Sequence, residues 1–167
     1  MSHYDDYLRW LYRGGRPRSF ARVQNTVGAV VFGAGIWPRR LAALEVPGRR
    51  SGRIITFPVV IADWEGGQYL VAMLGERTNW VQNLHAADGR AVLRHGRREA
   101  VRLVDVPAEG RPAILRRYLA IAPGARPHIP AGVDASDAEL QQVAATTPVF
   151  EIVTAADAVR RATATGG

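Results

Sequence analysis

The sequence predicts a mainly β domain with peripheral helices (α+β), its six antiparallel strands closed into a small barrel. From Leu41 onward the chain divides into apolar runs of about strand length separated by turn residues. Helical periodicity is confined to short segments between and after those runs, and closing such a sheet removes its exposed edges. The 167 residues, 47% of them apolar, are one domain's worth of chain.

The elements follow in order. Tyr4, Tyr7, Leu8, Leu11 and Tyr12 fall on one side of a short amphipathic helix that Gly14 and Gly15 close. A second helical piece spans Arg18–Phe32, so residues 1–38 form an N-terminal helical extension. The barrel domain is residues 39–154. Its strands are read as LAALEV, IITFPVVIA, QYLVAM, RAVLRHG, REAVRLVDV and the closing TPVFEIVT, the first five running as a meander. The Asp63–Gly67 connection has the acidic and glycine residues of a tight turn. Trp80, Val81 and Leu84 after a Thr78 cap place a short helix between the third and fourth strands. Pro107 opens a helix reaching Ile121, because a proline in the first turn costs no hydrogen bond. Residues 122–134 read as a loop. Ser136 with Glu139 is the capping-box pair of a last helix to Ala145, and residues 155–167 form a flexible tail.

Composition excludes several chemistries. Without cysteine there is no disulfide, thiolate zinc site or thiol nucleophile, and His3, His85, His95 and His128 show no ligand spacing, so no metal is expected. All 22 basic residues are arginine, against 15 acidic ones, for a net charge of +7. Lysine Schiff-base and P-loop chemistry are thereby ruled out. Each arginine is a permanently charged planar fork suited to phosphate or carboxylate, so the expected partner is an anion. Nucleic acid is not expected, because the arginines spread from Arg9 to Arg161 in runs no longer than two. The apolar stretch Val27–Trp37 is well short of the about 20 residues that cross a bilayer. The MSHYDDYLRW start carries no cationic leader, so a cytoplasmic location is expected. The basic and apolar stretch Arg9–Trp37 is read as a weak peripheral contact for anionic membrane.

Two motifs stand out. Gly48-Arg49-Arg50-Ser51-Gly52-Arg53 is a glycine-bounded turn that can aim guanidinium forks, a hydroxyl and backbone N–H groups at an anion, although a solvated hairpin turn is its ordinary reading. Asn79-Trp80-Val81-Gln82-Asn83-Leu84 puts an indole and three amides at a helix start, fitting a flat ring or an anion. A core tryptophan is the plainer alternative.

The order of strand, GRRSG turn, Pro-containing strand, acidic-glycine turn, strand and NWxxNL helix, over Leu41–Val106, resembles the deazaflavin-dependent nitroreductase family. Pro148–Val153 matches its closing strand more weakly. The resemblance implies a split β-barrel of the FMN-binding-like kind, holding coenzyme F-420, a phosphorylated deazaflavin with an oligoglutamate tail. It implies that Arg49, Arg50 and Ser51 hold the phosphate or tail carboxylates, and that Ile55, Thr56, Phe57, Pro58 and Val59 line the ring. Ala72, Met73, Leu74 and Gly75 with Asn79, Trp80, Val81, Gln82 and Asn83 complete the pocket. The chain departs from the family at Leu74-Gly75-Glu76-Arg77, where a lysine-bearing loop is frequent, and it has no tyrosine between Ser136 and Thr147.

The implied reaction is hydride transfer from the reduced deazaflavin to a small electron-poor molecule such as a quinone, enone or nitro compound, with the protein supplying orientation and electrostatics. Tyr118 and His128 are weak candidates for the proton source beside water. The alternatives are an FMN-binding oxidoreductase on the same barrel and a non-catalytic cofactor or lipid carrier. A homodimer is expected by analogy with small split barrels.

Overall fold

The computed structural model describes residues 40–165. The extension expected over residues 1–38, and the membrane contact expected of it, lie outside the described residues. The strands are β1 (Leu41–Pro47), β2 (Ile54–Val60), β3 (Ala62–Trp64), β4 (Gly67–Val71), β5 (Arg90–His95), β6 (Arg97–Asp105) and β7 (Val149–Thr154). The helices are α1 (Asn79–Ala86), α2 (Arg111–Ile121), α3 (Asp137–Ala144) and α4 (Ala155–Thr165). All strand pairs are antiparallel, in the order β2-β1-β5-β6-β7-β4-β3.

There are seven strands rather than the expected six, because the run read as one strand is divided at Ile61. Up to Val60 it pairs with β1, and from Ala62 it pairs with β4. At the division the Ile61 N–H donates to the Arg40 carbonyl at 2.8 Å. The alternation of faces continues through the break: Phe57, Val59 and Ile61 point into one core cluster, Val60 and Ala62 into another. The outermost strands of the sheet, β2 and β3, are therefore consecutive in the chain, and the sheet rolls into an antiparallel half-barrel of the split-barrel kind. Pro58 is accommodated because β2 has a strand on one side only.

The expected meander is also corrected. Hairpins join β1 to β2, β3 to β4 and β5 to β6, but β1 lies beside β5, and β7 lies between β6 and β4. Glu65 and Gly66 both have positive φ, 46° and 80°, which gives the β3–β4 hairpin the two-residue turn whose twist matches its strands. Gly89, φ 75°, carries the chain from α1 into β5; a Cβ there would lie 2.5 Å from the Leu103 carbonyl oxygen.

Two cores result. Leu44, Val46, Phe57, Leu70, Leu93, Leu103 and Phe150 fill the barrel, and α1 adds Val81 and Leu84, both fully buried. Outside the barrel, Val60, Val71, Met73 and Val149 pack against Leu115 and Leu119 of α2 and Leu140 of α3. Glu45, on the outer face of β1, is only 7% exposed. Arg94 bonds one of its oxygens at 3.3 Å and Arg98 the other at 2.7 and 3.1 Å, so the buried charge is paired as burial demands.

The helix after Pro107 begins as a 3-10 turn, Ala108–Gly110, and becomes α-helical at Arg111 with Pro112 in its first turn. Part of the expected loop is a 3-10 segment, Pro123–His128. The Ser136–Glu139 capping box forms as read, at 3.2 and 2.7 Å. Within the expected flexible tail, residues 155–165 form α4. Its start is closed reciprocally: the Thr154 N–H and hydroxyl donate to the Asp157 carboxylate at 3.0 and 2.8 Å, and the Asp157 N–H donates to the Thr154 hydroxyl at 3.2 Å. No helix among the described residues is long and apolar enough to cross a membrane.

The Thr154 N–H, then its hydroxyl and Arg160, pull the Asp157 carboxyl down from 3.8 to about 2. Because the folded value is the lower one, this cap contributes fully above about pH 4 and is lost as pH falls from there toward 2. Thr154→Ala is expected to cost about 1 kcal/mol of helix stability and to speed amide exchange across residues 155–165 at neutral pH. In the wild-type helix, protection relative to the intrinsic exchange rate falls comparably only on acidification.

Candidate functional site

The basic turn and the indole-bearing helix meet. In the turn, the Gly48 N–H donates to the Arg53 carbonyl and the Gly52 N–H to the Gly48 carbonyl, both at 2.8 Å. Gly52 takes φ 67°, a conformation glycine adopts without a Cβ penalty. A Cβ on Gly48 would lie 3.0 Å from the Ser51 hydroxyl oxygen, so the tight closure depends on that glycine too. Arg49, Arg50 and Ser51 are left exposed at the tip.

Facing them is the first turn of α1. Asn79 and Asn83 are four residues apart and share one helix face, which is turned toward Arg49. The Arg49 guanidinium donates to Asn83 Oδ1 at 2.8 Å and to Asn79 Oδ1 at 3.3 and 3.4 Å. The Arg49 backbone N–H also donates to Asn83 Oδ1, at 3.2 Å. Asn83 is 3% exposed, so Arg49 satisfies a buried amide oxygen and fastens the turn to the helix. Between them is a cleft of about 300 Å³ lined by Gly48, Arg49, Arg50, Ser51, Ile55, Asn79 and Asn83.

Among the described residues, the Arg50 and Arg53 side chains have no hydrogen-bond or ion-pair partner. Thr78 does not cap the helix as expected; its hydroxyl donates to the Gly75 carbonyl at 2.9 Å. The α1 N-terminus beside the cleft thus carries no side-chain cap, leaving its dipole and N–H groups to favour an anion.

A second, smaller cavity of about 20 Å³ lies one step further along the same elements. Pro58 and Val59 of β2, Met73 and Leu74 after β4, and Trp80 of α1 line it, joined by Val60, Leu70, Val71 and Tyr118. Trp80 is half-buried and set by Phe57 and Phe150, with ring centroids 5.4 and 5.5 Å away. Tyr118 is 4% exposed, and its hydroxyl reaches the Met73 thioether at 3.7 Å. Burial pushes the phenol well above its usual range, which makes it a hydrogen-bond donor and a reluctant acid rather than a ready proton source.

The sequence-derived residues thus divide. Arg49, Arg50, Ser51, Ile55, Asn79 and Asn83 line the cleft, and Pro58, Val59, Met73, Leu74 and Trp80 line the smaller cavity. Thr56, Phe57, Ala72, Gly75, Val81 and Gln82 line neither. Phe57, Ala72 and Val81 belong to the barrel core; Gly75, φ 87°, shapes the loop that holds Thr78; and the Gln82 amide donates to the Arg77 carbonyl at 3.3 Å. His128 lies in the 3-10 segment after α2 and lines neither cavity. Gly48, which the sequence marks only as the start of the turn, also lines the cleft. Sequence reasoning omitted Val60, Leu70 and Val71, which the alternation of their strands marks only as core. Among the described residues no three His, Cys, Asp or Glu side chains cluster as metal ligands.

No family model and no curated protein matches the chain. Similar solved structures include an F420-H2-dependent reductase, FDR-A, at 18% identity and TM-score 0.48, over 68% of this chain and 94% of that one. Another is a protein described as a domain-swapped dimer, at 13% identity and TM-score 0.50, over 78% and 96%. A third is a FAD-binding protein of Mesorhizobium loti, at 13% and 0.44, over 78% and 87%. At these identities the likeness is one of fold alone.

Proposed function

We propose that the chain is an oxidoreductase that binds coenzyme F-420, with its anionic tail in the Arg50 cleft and its flat head against Trp80, and reduces a small electron-poor molecule. The observation that carries this reading is the convergence of the GRRSG turn and the α1 start on one cleft, with Arg50 left uncommitted at its edge. The motif order in the sequence supports the identity of the ligand.

The residues present fit such a group. Arg50 and the Ser51 hydroxyl would hold phosphate or carboxylate oxygens by charge-assisted and neutral hydrogen bonds, and the uncapped α1 N-terminus adds to the favourable field. Trp80, Pro58 and Leu74 offer an apolar wall for a ring. When bound, a reduced deazaflavin supplies two electrons as a hydride. The chain itself binds and orients, and its buried Tyr118 phenol keeps its proton, so solvent completes the reduction. The acceptor class proposed is a quinone, enone or nitro compound. FMN also carries a phosphate that the same turn would hold, so titration with both cofactors separates the two oxidoreductase readings. A carrier would bind the cofactor and show no turnover with a quinone.

Arg50→Ala is expected to weaken F-420 binding by about 1.5–3 kcal/mol, measured by fluorescence titration, with little change in thermal stability. Arg49→Ala behaves differently. It removes the guanidinium bonds to Asn83 and Asn79 and leaves the buried Asn83 oxygen only the Arg49 backbone N–H, so it costs about 0.5–1.5 kcal/mol of folding stability in addition to weakening binding. The proposed particle is a homodimer, so sedimentation velocity of the purified chain is expected to give twice the monomer mass.

A further inference from the structure

We propose that the Tyr118 hydroxyl is a donor held for a neutral carbonyl oxygen of a bound ligand, making the cavity beneath Trp80 a carbonyl-recognition subsite. The inference rests on the oxidoreductase reading and extends it from the anionic tail to the head of the ligand.

Tyr118 belongs to α2, outside the barrel, in a core otherwise built of Val, Leu, Ile, Ala and Met side chains. A phenylalanine would fill that core as well, and would not carry a hydroxyl out of water. Among the described residues that hydroxyl has one partner, the Met73 thioether at 3.7 Å, and a thioether is a weak acceptor. A buried hydroxyl without a good acceptor is destabilising, so the group is unexplained by packing. The hydroxyl-bearing side chain also lines the small cavity that touches Trp80 and Pro58, the residues assigned to the ligand head.

The cavity selects its occupant. At about 20 Å³ it admits one water-sized atom, so it takes a projecting oxygen and not a ring. Of its other side chains, Pro58, Val59, Val60, Leu70, Val71, Leu74 and Trp80 present no oxygen or nitrogen acceptor and Met73 only its weak thioether, so no side chain there competes strongly for the Tyr118 proton. An anionic oxygen would lose too much hydration in such a lining. A neutral carbonyl oxygen needs one donor, and burial keeps the phenol protonated to provide it. Both a flavin-type ring and a quinone or enone acceptor carry such an oxygen.

The test is Tyr118→Phe beside Arg50→Ala, with three readouts: thermal stability of the ligand-free protein, F-420 affinity by fluorescence titration, and menadione affinity for the F-420-loaded protein. The expected result is an unchanged or raised midpoint for ligand-free Tyr118→Phe, with a loss of about 3- to 10-fold in one of the two affinities. Loss of F-420 affinity assigns the oxygen to the cofactor, and loss of menadione affinity alone assigns it to the acceptor. A ligand-free midpoint lowered by several degrees overturns the proposal, because the hydroxyl then has a partner within the fold. So does Tyr118→Phe binding both ligands like wild type while Arg50→Ala loses F-420, which leaves the oxidoreductase reading standing. Wild-type protein that binds no F-420 overturns both.

Discussion

The contact on which the site depends is the one between Arg49 and the two asparagines of α1. A hairpin tip and a helix start, thirty residues apart in the chain, are held together by a guanidinium fork and a backbone N–H that converge on Asn83 Oδ1. Because Asn83 is nearly sealed from water, its oxygen must be satisfied by the protein, and Arg49 is what satisfies it. The contact therefore fixes geometry more firmly than an exposed polar pair would. It sets where the exposed Arg50 and Ser51 lie relative to the uncapped end of α1.

The barrel makes this contact rigid from both sides. The turn is clamped by two backbone hydrogen bonds where β1 passes into β2. The helix is anchored by Val81 and Leu84 in the barrel interior, while Trp80 is braced by Phe57 and Phe150. Two surfaces result, side by side: a charged, solvent-open cleft and a largely apolar cavity that the Tyr118 side chain also lines. The proposed ligand, with an anionic tail and a flat, carbonyl-bearing head, would complement both. Neighbouring arginines differ in their commitments, with Arg49 bonded to Asn79 and Asn83 and Arg50 at the cleft edge without a hydrogen-bond partner among the described residues.

Features with local causes were readable from the sequence. The Glu65-Gly66 turn follows from its φ requirements, the Ser136–Glu139 cap from its spacing, and the strand runs from their apolar content. Pairings between distant segments are not readable, because nothing in β1 or β7 specifies a partner 45 or more residues away, and so the sequence reads as a meander where β1 lies beside β5. The break at Ile61 was hidden because the inward and outward alternation passes through it unchanged. In α4, the alanine and threonine content suggested a tail, but the Thr154–Asp157 cap and the ion pair of Arg161 with Glu151 organise it. Within the site, the two motifs were visible as motifs. The commitment of Arg49 to Asn83 was not, since it depends on which arginine the turn directs toward the helix.

A crystal structure of the protein grown with oxidised coenzyme F-420 tests the central claim most directly. The account predicts phosphate or carboxylate oxygens of the ligand within hydrogen-bond distance of Arg50 and Ser51, the ring against Trp80 and Pro58, and the Arg49–Asn83 contact intact. Ligand bound elsewhere on the barrel, or a cleft in which Arg49 leaves Asn83 and the turn separates from α1, would contradict it.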